Sequence, residues 1–453
     1  MISQRVKPAN DRETYRLIFI TALPIVLQNI LESAVSSADV VMLNYVNQAA
    51  LSAGSLATQY SSDFFMFIYG IGTGVTMLAS QYWGKGDRTS VEAVRSMGLR
   101  YSVLLSALFA MLCLVIPVPM MKIFTSDPEL IELGAQYLRI VAPGYVFWSA
   151  TSVYSSILRS TGNVGMATAI ESVPLFGNVI LNAVFIFGLF GAPKLGLAGV
   201  ALATLLSRIL GFITALAAAG KANVGLSFRG IFRKYGDLHR DFITMSLPAI
   251  ANDVSWGVGF SMYSVVLGHL GSDVVAANSI VSVVRNLSLV ICYGIGSASL
   301  VILGNMLGDN RIEEAKSTSR TMLRLTAAAG VLSGITVFFL IKPVALFAQV
   351  TDTARDYLHF MMLVNTVYPM GAAINTLLIA GVFRAGGDSR FGFKCDTIDM
   401  WCYGVPLAFI SAFLLKLPVK WVYLLMCTDE FVKWPWVFRR YYSFRWAQNI
   451  TRD

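Results

Sequence analysis

The chain has 453 residues, of which 56% are hydrophobic and 13% are charged, and its mean hydropathy is +0.64. A typical soluble domain carries about 25% charged residues, so this composition excludes a soluble globular enzyme and predicts a protein that lies mostly within a membrane. The formal net charge is +9, and its distribution along the chain decides whether it marks a nucleic-acid surface.

Apolar blocks long enough to cross a bilayer follow one another along the whole chain. A transmembrane helix needs about 20 mostly apolar residues. Twelve blocks meet this requirement in turn: 17–43, 53–80, 96–118, 135–158, 164–190, 196–218, 242–268, 274–304, 321–341, 357–383, 391–415 and 419–438. The sequence therefore predicts an all-α integral membrane protein with twelve transmembrane helices. The first block is too long for the apolar part of a signal peptide, so we expect it to be retained.

Lysine and arginine are distributed unevenly between the two sides of the predicted membrane. If the N-terminus is cytoplasmic, the loops and termini on that side hold 23 of these residues, and the opposite loops hold 6. Such an excess is typical of the cytoplasmic side of membrane proteins. We therefore expect a multi-pass protein of the cell membrane with both termini cytoplasmic. The same distribution explains the basic charge without a nucleic-acid partner.

The two halves of the sequence resemble each other at a nearly constant offset. The segments "ITALPIVLQN" and "ITMSLPAIAND" align Pro24 with Pro248, at +224. The segments "IGTGVTMLASQYWGKGD" and "IGSASLVILGNMLGDN" match at the same offset, and "RSTGN" matches "RAGGD" at +225. Three matches in register indicate that a unit of six helices has been duplicated.

An even number of helices in each copy gives both copies the same orientation in the membrane. We therefore expect two six-helix lobes, 1–218 and 241–453, related by a pseudo-two-fold axis along the membrane normal and joined by a cytoplasmic linker, 219–240. A proline inside a helix frees a carbonyl group and bends the helix. Pro24 and Pro248 are therefore candidate helix-bending residues of a transporter, and two ordinary kinks are the alternative.

Polar side chains in the predicted helices of the first lobe share a face at helical spacing. Gln28, Glu32 and Asp39 lie on one face of the first helix, and Asn178 and Asn182 are one turn apart in the fifth. Lipid cannot satisfy such groups, so they predict a hydrated cavity. No cationic residue is adjacent to Asp39 in sequence, which favours a role in binding a proton or a cation.

The second lobe has its own polar side chains within predicted helices: Asn252, Asp253, Arg285, Asp396 and Asp399. Asp396 and Asp399 are three residues apart and share a helix face. With Asp253 they are candidates for a second ion-coupling site, whereas Asn252 and Arg285 are candidates for lining a substrate cavity. Alternatively, Asp253 and Arg285 form a structural ion pair that neutralises both charges.

Motifs of enzyme active sites are absent from the sequence. It contains no HExxH, no Walker loop and no GxSxG, and its five cysteines form no CxxC pair. We therefore expect a protein that is not an enzyme, that has no cofactor, and that takes its energy from an ion gradient.

Several segments together resemble the multidrug and toxic compound extrusion (MATE) family of transporters. They are "SSADVVML", "SQYWGKGD", "LRSTGN", "GVFRAGGDSR" and "LLMCTDEFVKWPWVFRRYYSFRW", and the resemblance covers essentially the whole chain. It implies an antiporter that exports small organic, often cationic, compounds in exchange for Na⁺ or H⁺. We also expect a monomer. The resemblance also implies a coupling role for Asp39 and, approximately, for Asp253. The fifth helix, where some relatives carry an aspartate, has Asn178 and Asn182 instead.

Two other transporter classes remain as alternatives. A lipid-linked oligosaccharide flippase of the same superfamily is the main one, but such proteins carry several cationic residues in a central cavity, and Arg285 is the one strong candidate here. A major-facilitator transporter also has two six-helix halves. Its loop after the second helix usually has an Asp-Arg-x-Gly-Arg character, whereas this chain reads "GKGDRTS".

Overall fold

The structure, a computed structural model, describes residues 11–44, 48–224, 229–348 and 350–452. Within these ranges the side chains of residues 11, 36–41, 43, 44, 48 and 229 are also outside the description. The predicted coupling residue Asp39 therefore lies within a helix, but its side chain is not among the described ones. The described residues form helices and turns without a β-strand, which confirms the all-α class.

The helices follow each other in the order predicted from the apolar blocks. In the first half they are α1 Asp11–Asn44, α2 Gln48–Lys85, α3 Arg88–Val115, α4 Pro117–Phe124, α5 Pro128–Ser160, α6 Val164–Phe187 and α7 Gly196–Lys221. In the second half they are α8 Gly236–His269, α9 Ser272–Gly308, α10 Ile312–Phe347, α11 Asp352–Val364, α12 Tyr368–Asn375, α13 Ser389–Ile398, α14 Val405–Phe409, α15 Val419–Met426, α16 Asp429–Val432 and α17 Trp434–Tyr442. Three π-helical segments, Thr376–Phe383, Asp399–Gly404 and Ile410–Leu414, continue α12, α13 and α14.

Eight helices of the described part are long and apolar enough to cross a membrane, and a ninth span results if the bent pair α11 and α12 is counted as one. The three remaining predicted blocks coincide with α5, with α8 and with the short helices α15 to α17. Helices α5 and α8 have 33 and 34 residues, so they have the length to span a bilayer. The last block is instead divided, and charged side chains lie at its breaks.

The chain forms two compact units. The first unit is Leu27–Ile250, and the second consists of Met1–Val26 with Ala251–Asp453. The divisions fall within α1 and α8, in each case two residues after the proline that the sequence repeat aligns. These units follow packing, whereas the lobes proposed from the sequence follow the repeat, and those lobe boundaries stay a prediction.

Each unit has its own apolar core. In the first unit, buried side chains of α2, α5 and α7 pack together, among them Phe64, Leu138 and Ala201. In the second unit, α9, α11 and α15 contribute residues such as Val281, Leu358 and Val422. These cores hold the helices that carry the polar groups described below.

Two pairs of helices cross closely at a glycine, and the sequence repeat relates the two crossings. In the first unit, a Cβ atom at Gly70 of α2 would lie 2.7 Å from the Cα atom of Ile250 in α8. In the second unit, a Cβ atom at Gly294 of α9 would overlap the side chain of Val26 in α1. The offset of +224 relates the two pairs, because it aligns Gly70 with Gly294 and Val26 with Ile250. The duplication seen in the sequence therefore also governs helix packing, because at both places only glycine lets the backbones approach this closely.

Candidate functional site

A lysine surrounded by carboxylates lies inside the second unit. The ammonium Nζ of Lys433 is 3.3 Å from Oδ1 of Asp396, 3.5 Å from Oδ2 of Asp399 and 3.2 Å from Oε2 of Glu430. Asp429 is adjacent to Glu430 and is buried like it. We call these five residues, Asp396, Asp399, Asp429, Glu430 and Lys433, the Lys433 cluster. All lie within the last two predicted transmembrane blocks.

Local helix geometry explains how the members of the cluster come to face one another. Asp396 lies in α13, and Asp399 begins the π-helical segment that continues it. Their spacing of three residues places both carboxylates on one side. Glu430 in α16 and Lys433, which follows α16 directly, have the same spacing. Two local pairs are thus brought together by packing of the two segments. Short π-helical segments are rare and often mark functional sites.

Amide groups from other helices hold two of the carboxylates. Nδ2 of Asn252 in α8 donates a hydrogen bond of 3.1 Å to Oδ2 of Asp396. Nδ2 of Asn375 in α12 donates to Oε2 of Glu430 and to its backbone oxygen, both at 2.6 Å. These donors fix the carboxylate orientations while adding no positive charge.

The other two carboxylates differ in their hydrogen bonding. The hydroxyl group of Tyr263 donates to Oδ2 of Asp429 at 3.1 Å. The side chain of Asp399 is 4% exposed, and its Oδ1 atom has no hydrogen-bond partner among the described residues. A buried oxygen without a donor is costly in its charged form. Asp399 is therefore the member of the cluster that is best placed to accept a proton.

The cluster carries an excess of negative charge. It holds four carboxylates against one ammonium group, so three negative charges remain if every acid is ionised. Unpaired charges are strongly disfavoured in an apolar interior, where the usual outcome is neutralisation by a proton or a counter-ion. The arrangement therefore favours uptake of protons or cations from water.

Asp253 forms an ion pair, but its partner is not the one considered from the sequence. Arg384, from the "RAGGD" motif, donates to both oxygens of Asp253, at 2.7 and 3.4 Å. The side chains of Arg384 and Asp253 are 3% and 17% exposed. Arg285 instead lies over the rings of Phe260 and Tyr368, at 5.6 and 5.3 Å. The alternative of an Asp253–Arg285 pair is wrong, because the side chain of Arg285 is directed to these aromatic rings.

A small cavity of about 70 Å³ lies beside Arg285 in the second unit. Its lining is mostly aromatic, sulfur-containing and hydroxylic: Phe260, Tyr263, Ser264, Leu267, Asn278, Ser282, Arg285, Tyr368, Tyr423, Met426 and Cys427. Tyr263 both lines this cavity and donates to Asp429. A change in the charge of the cluster can therefore alter the cavity, because it would change the hydrogen bond that positions Tyr263.

The predicted polar face of α1 is partly described in the first unit. Nη2 of Arg159 donates to Oε1 of Gln28 at 3.2 Å. This contact corresponds to the Arg384–Asp253 pair, because the repeat aligns the two arginines and both partners follow the proline by about one turn. Glu32 is exposed on its helix and has Arg159 and Glu171 as charged neighbours. The face continues to Asp39, whose side chain is outside the described residues.

Asn178 and Asn182 connect two helices of the first unit. Asn182 donates to Oδ1 of Asn178 at 3.1 Å, and Asn178 donates to Oγ1 of Thr204 in α7 at 3.4 Å. Thr204 lies one turn before Arg208, whose guanidinium group is 4.6 Å from the rings of both Tyr145 and Trp148. The predicted asparagine pair thus exists as a contact.

Several important residues were not selected from the sequence: Tyr263, Asn375, Arg384, Asp429, Glu430 and Lys433. The segment "TDEFVKWPW" did contain a signal. Its two acids precede the lysine by four and three residues, the spacing of helical ion pairs, inside an otherwise apolar block. For a metal site, no group of three or more His, Cys, Asp or Glu side chains with suitable geometry is found in the described part of the chain.

Comparison with known proteins identifies relatives along the whole chain. The MatE family model matches residues 24–188 and 248–410. An uncharacterized transporter, YisQ of Bacillus subtilis, is 23% identical over 447 residues, which cover 98% of this chain and 97% of the relative. A probable multidrug resistance protein, NorM of Thermotoga maritima, is 22% identical over 95% of this chain and 93% of its own length.

Solved structures share the fold. The MATE transporter VcmN of Vibrio cholerae in its bent form has a TM-score of 0.84 at 15% identity and covers 96% of this chain and 99% of its own. A MATE structure in the straight conformation has a TM-score of 0.85 at 18% identity, with 95% and 97% covered. The fold predicted from the sequence, twelve transmembrane helices in two lobes, is confirmed by this similarity.

Proposed function

The chain belongs to the MatE family, which confirms the resemblance noted in its motifs, and on this basis we propose that it is a secondary antiporter. It exports small organic compounds, often cationic, across the cell membrane in exchange for H⁺ or Na⁺. The names of the relatives support this substrate class, since NorM of Thermotoga maritima and MdtK of Photorhabdus laumondii are described as multidrug resistance proteins.

The observation that carries the coupling part of the proposal is the Lys433 cluster. Ionisable groups within transmembrane segments are expensive and usually mark an ion pathway. The cluster can hold an additional positive charge in one conformation and release it in another. An ion biases a conformational equilibrium only if it binds the two states with different affinity. Changing access of water to these carboxylates would provide that difference.

A second coupling carboxylate is proposed in the first lobe. Family resemblance gives Asp39 this role, and Gln28 and Glu32 lie on the same helix face. Pro24 precedes this face and would let the first half of α1 change direction relative to the second half. Pro248 has the corresponding position in α8.

The flippase alternative is not favoured. An anionic lipid-linked sugar would require a cavity with excess positive charge. The cavity of the second unit has Arg285 as its one charged lining residue, fewer cationic residues than such a cavity would need. The relatives described as multidrug resistance proteins also weigh against a flippase.

Efflux in a defined system tests the proposal. Purified protein is reconstituted in liposomes, and transport of a fluorescent organic cation is followed under a pH gradient or a Na⁺ gradient, each imposed separately. We expect transport against the cation's own gradient in at least one condition. Equilibration of the dye without accumulation in both conditions would contradict secondary antiport.

We also propose that both termini and the 219–240 segment lie in the cytoplasm, as the distribution of Lys and Arg favours. The proposed transporter is a monomer. A cysteine introduced in 225–235 should not react with an impermeant maleimide added to intact cells, and it should react after permeabilisation. Labelling in intact cells would reverse the proposed topology.

A further inference from the structure

We infer that Lys433 acts as a built-in counter-cation that makes its carboxylate cluster selective for protons over Na⁺. This inference rests on the proposed function and specifies the coupling ion at this site. The ammonium group occupies the point on which the carboxylates converge, so a metal cation finds that point taken, whereas a proton can still be added to a carboxylate oxygen.

The contact distances show that the ammonium group is shared. Its Nζ atom lies between 3.2 and 3.5 Å from oxygens of three different acids, Asp396, Asp399 and Glu430. A committed charge-assisted hydrogen bond from nitrogen to a carboxylate is shorter, about 2.7–2.9 Å. Lys433 therefore occupies a position among the three acids, as a coordinated cation would.

Na⁺ would need the same oxygens. It is a hard cation and, like other hard cations, binds several oxygen ligands at once. At the Lys433 cluster the oxygens that face each other already surround Nζ, and Lys433 itself is 4% exposed, so it has little room to withdraw. Two of the oxygens in the cluster also accept hydrogen bonds from amide groups: Oδ2 of Asp396 from Asn252, and Oε2 of Glu430, which itself faces Nζ, from Asn375.

A proton has no such requirement. It needs one oxygen and no surrounding set of ligands. Oδ1 of Asp399 is buried and has no hydrogen-bond partner among the described residues, so it offers a place for a proton in addition to Lys433. Since three negative charges remain after Lys433 is counted, protonation lowers the unfavourable charge without displacing any group.

Direct binding of Na⁺ tests this inference. The experiment uses the purified full-length chain carrying Asp39→Asn, so that Asp39 does not contribute, and it measures equilibrium binding of ²²Na⁺. We expect no saturable binding with Lys433 present. Adding Lys433→Gln empties the convergence point and should produce saturable Na⁺ binding, with an affinity about tenfold or more above the weakest that the assay detects. The matched variant Lys433→Arg keeps the positive charge and should leave binding absent.

Proton release gives a second readout on the same samples. Addition of NaCl to the Lys433→Gln variant in weak buffer should release protons, because Na⁺ replaces protons on the carboxylates. The Lys433→Arg variant should release none. A thermal melt of each sample identifies folded protein before binding is scored.

Specific outcomes overturn the inference. Saturable Na⁺ binding with Lys433 in place, lost on Asp396→Asn, would show that the ammonium group does not exclude the metal. A folded Lys433→Gln variant that binds no Na⁺ would show that the lysine is not what sets selectivity. If the Lys433→Gln variant does not fold, the inference is decided by the ²²Na⁺ measurement on the protein that retains Lys433: saturable binding contradicts it, and no binding supports it. Failure of the antiport proposal is seen separately, as lack of accumulation in liposomes under either gradient.

Discussion

Neutralising Asp253 should destabilise the protein through the arginine that is left behind. Asp253→Asn removes the negative charge opposite Arg384, whose side chain is 3% exposed and 2.7 Å from the carboxylate. Removing one partner of a buried ion pair costs about 3–5 kcal/mol. The asparagine oxygen can still accept one hydrogen bond, and Asp253 is 17% exposed, so we expect a loss of about 2–3 kcal/mol.

The assay measures the thermal stability of the purified variants in detergent. Its readout is the fraction of protein that is still monodisperse after heating. A loss of this size should lower the midpoint by about 2–3 °C, because the entropy of unfolding grows with the length of the chain. The double variant Asp253→Asn with Arg384→Gln removes both charges and should recover most of the loss, because the buried guanidinium group that lost its carboxylate is then removed as well.

A matched control separates the two arginines. Asp253→Asn combined with Arg285→Gln should show no recovery, since Arg285 contacts Phe260 and Tyr368 rather than the carboxylate. Rescue by Arg285→Gln but not by Arg384→Gln would refute the pairing. Wild-type stability of the single variant Asp253→Asn would refute the energetic argument.

Three further predictions follow from other parts of the chain. Asp39→Asn should fold but lose gradient-driven efflux from vesicles, because its charge can no longer alternate with ion binding. Gly70→Leu should lower the free energy of unfolding by about 1–3 kcal/mol, seen as a lower thermal midpoint, because its Cβ atom would lie 2.7 Å from the Cα atom of Ile250. Asp87 caps α3 by accepting hydrogen bonds from Ser90. Partial burial raises the pKa of this carboxyl group, but the hydrogen bonds from Ser90, the charge of Lys85 and the backbone N–H of Thr89 together lower it more, so its pKa is below the ordinary 3.8. Asp87→Ala should therefore cost about 1 kcal/mol at neutral pH, and the difference from wild type should disappear as the pH falls through the lowered pKa.

The first two of these predictions have a control variant in the chain. Glu129→Gln changes an exposed acid at the start of α5 and should leave efflux unchanged. Gly165→Ala adds a methyl group where no atom lies within 4 Å and should leave stability nearly unchanged. Full efflux by Asp39→Asn, a wild-type midpoint for Gly70→Leu, or a pH-independent effect of Asp87→Ala would each contradict the corresponding argument.

The sequence alone determined the helical architecture and its duplication. Apolar blocks of sufficient length require helices in a bilayer, because backbone groups in lipid must be hydrogen-bonded within the segment. The repeat offset of +224 also described the packing, since it relates the Gly70–Ile250 crossing to the Gly294–Val26 crossing. Among the predicted polar groups, the proximity of Asp396 and Asp399 and that of Asn178 and Asn182 follow from helical spacing alone.

Only the tertiary structure decided which charges meet. Asp253 finds Arg384, 131 residues away, and not Arg285, which is much nearer in sequence. Lys433 contacts carboxylates of α13, of the π-helical segment that continues it, and of α16. Helical spacing could predict only its pairing with acids of its own segment. The reason is physical: helical periodicity acts over one or two turns, whereas the partner of a buried charge is set by which helices pack together and by which groups remain without water.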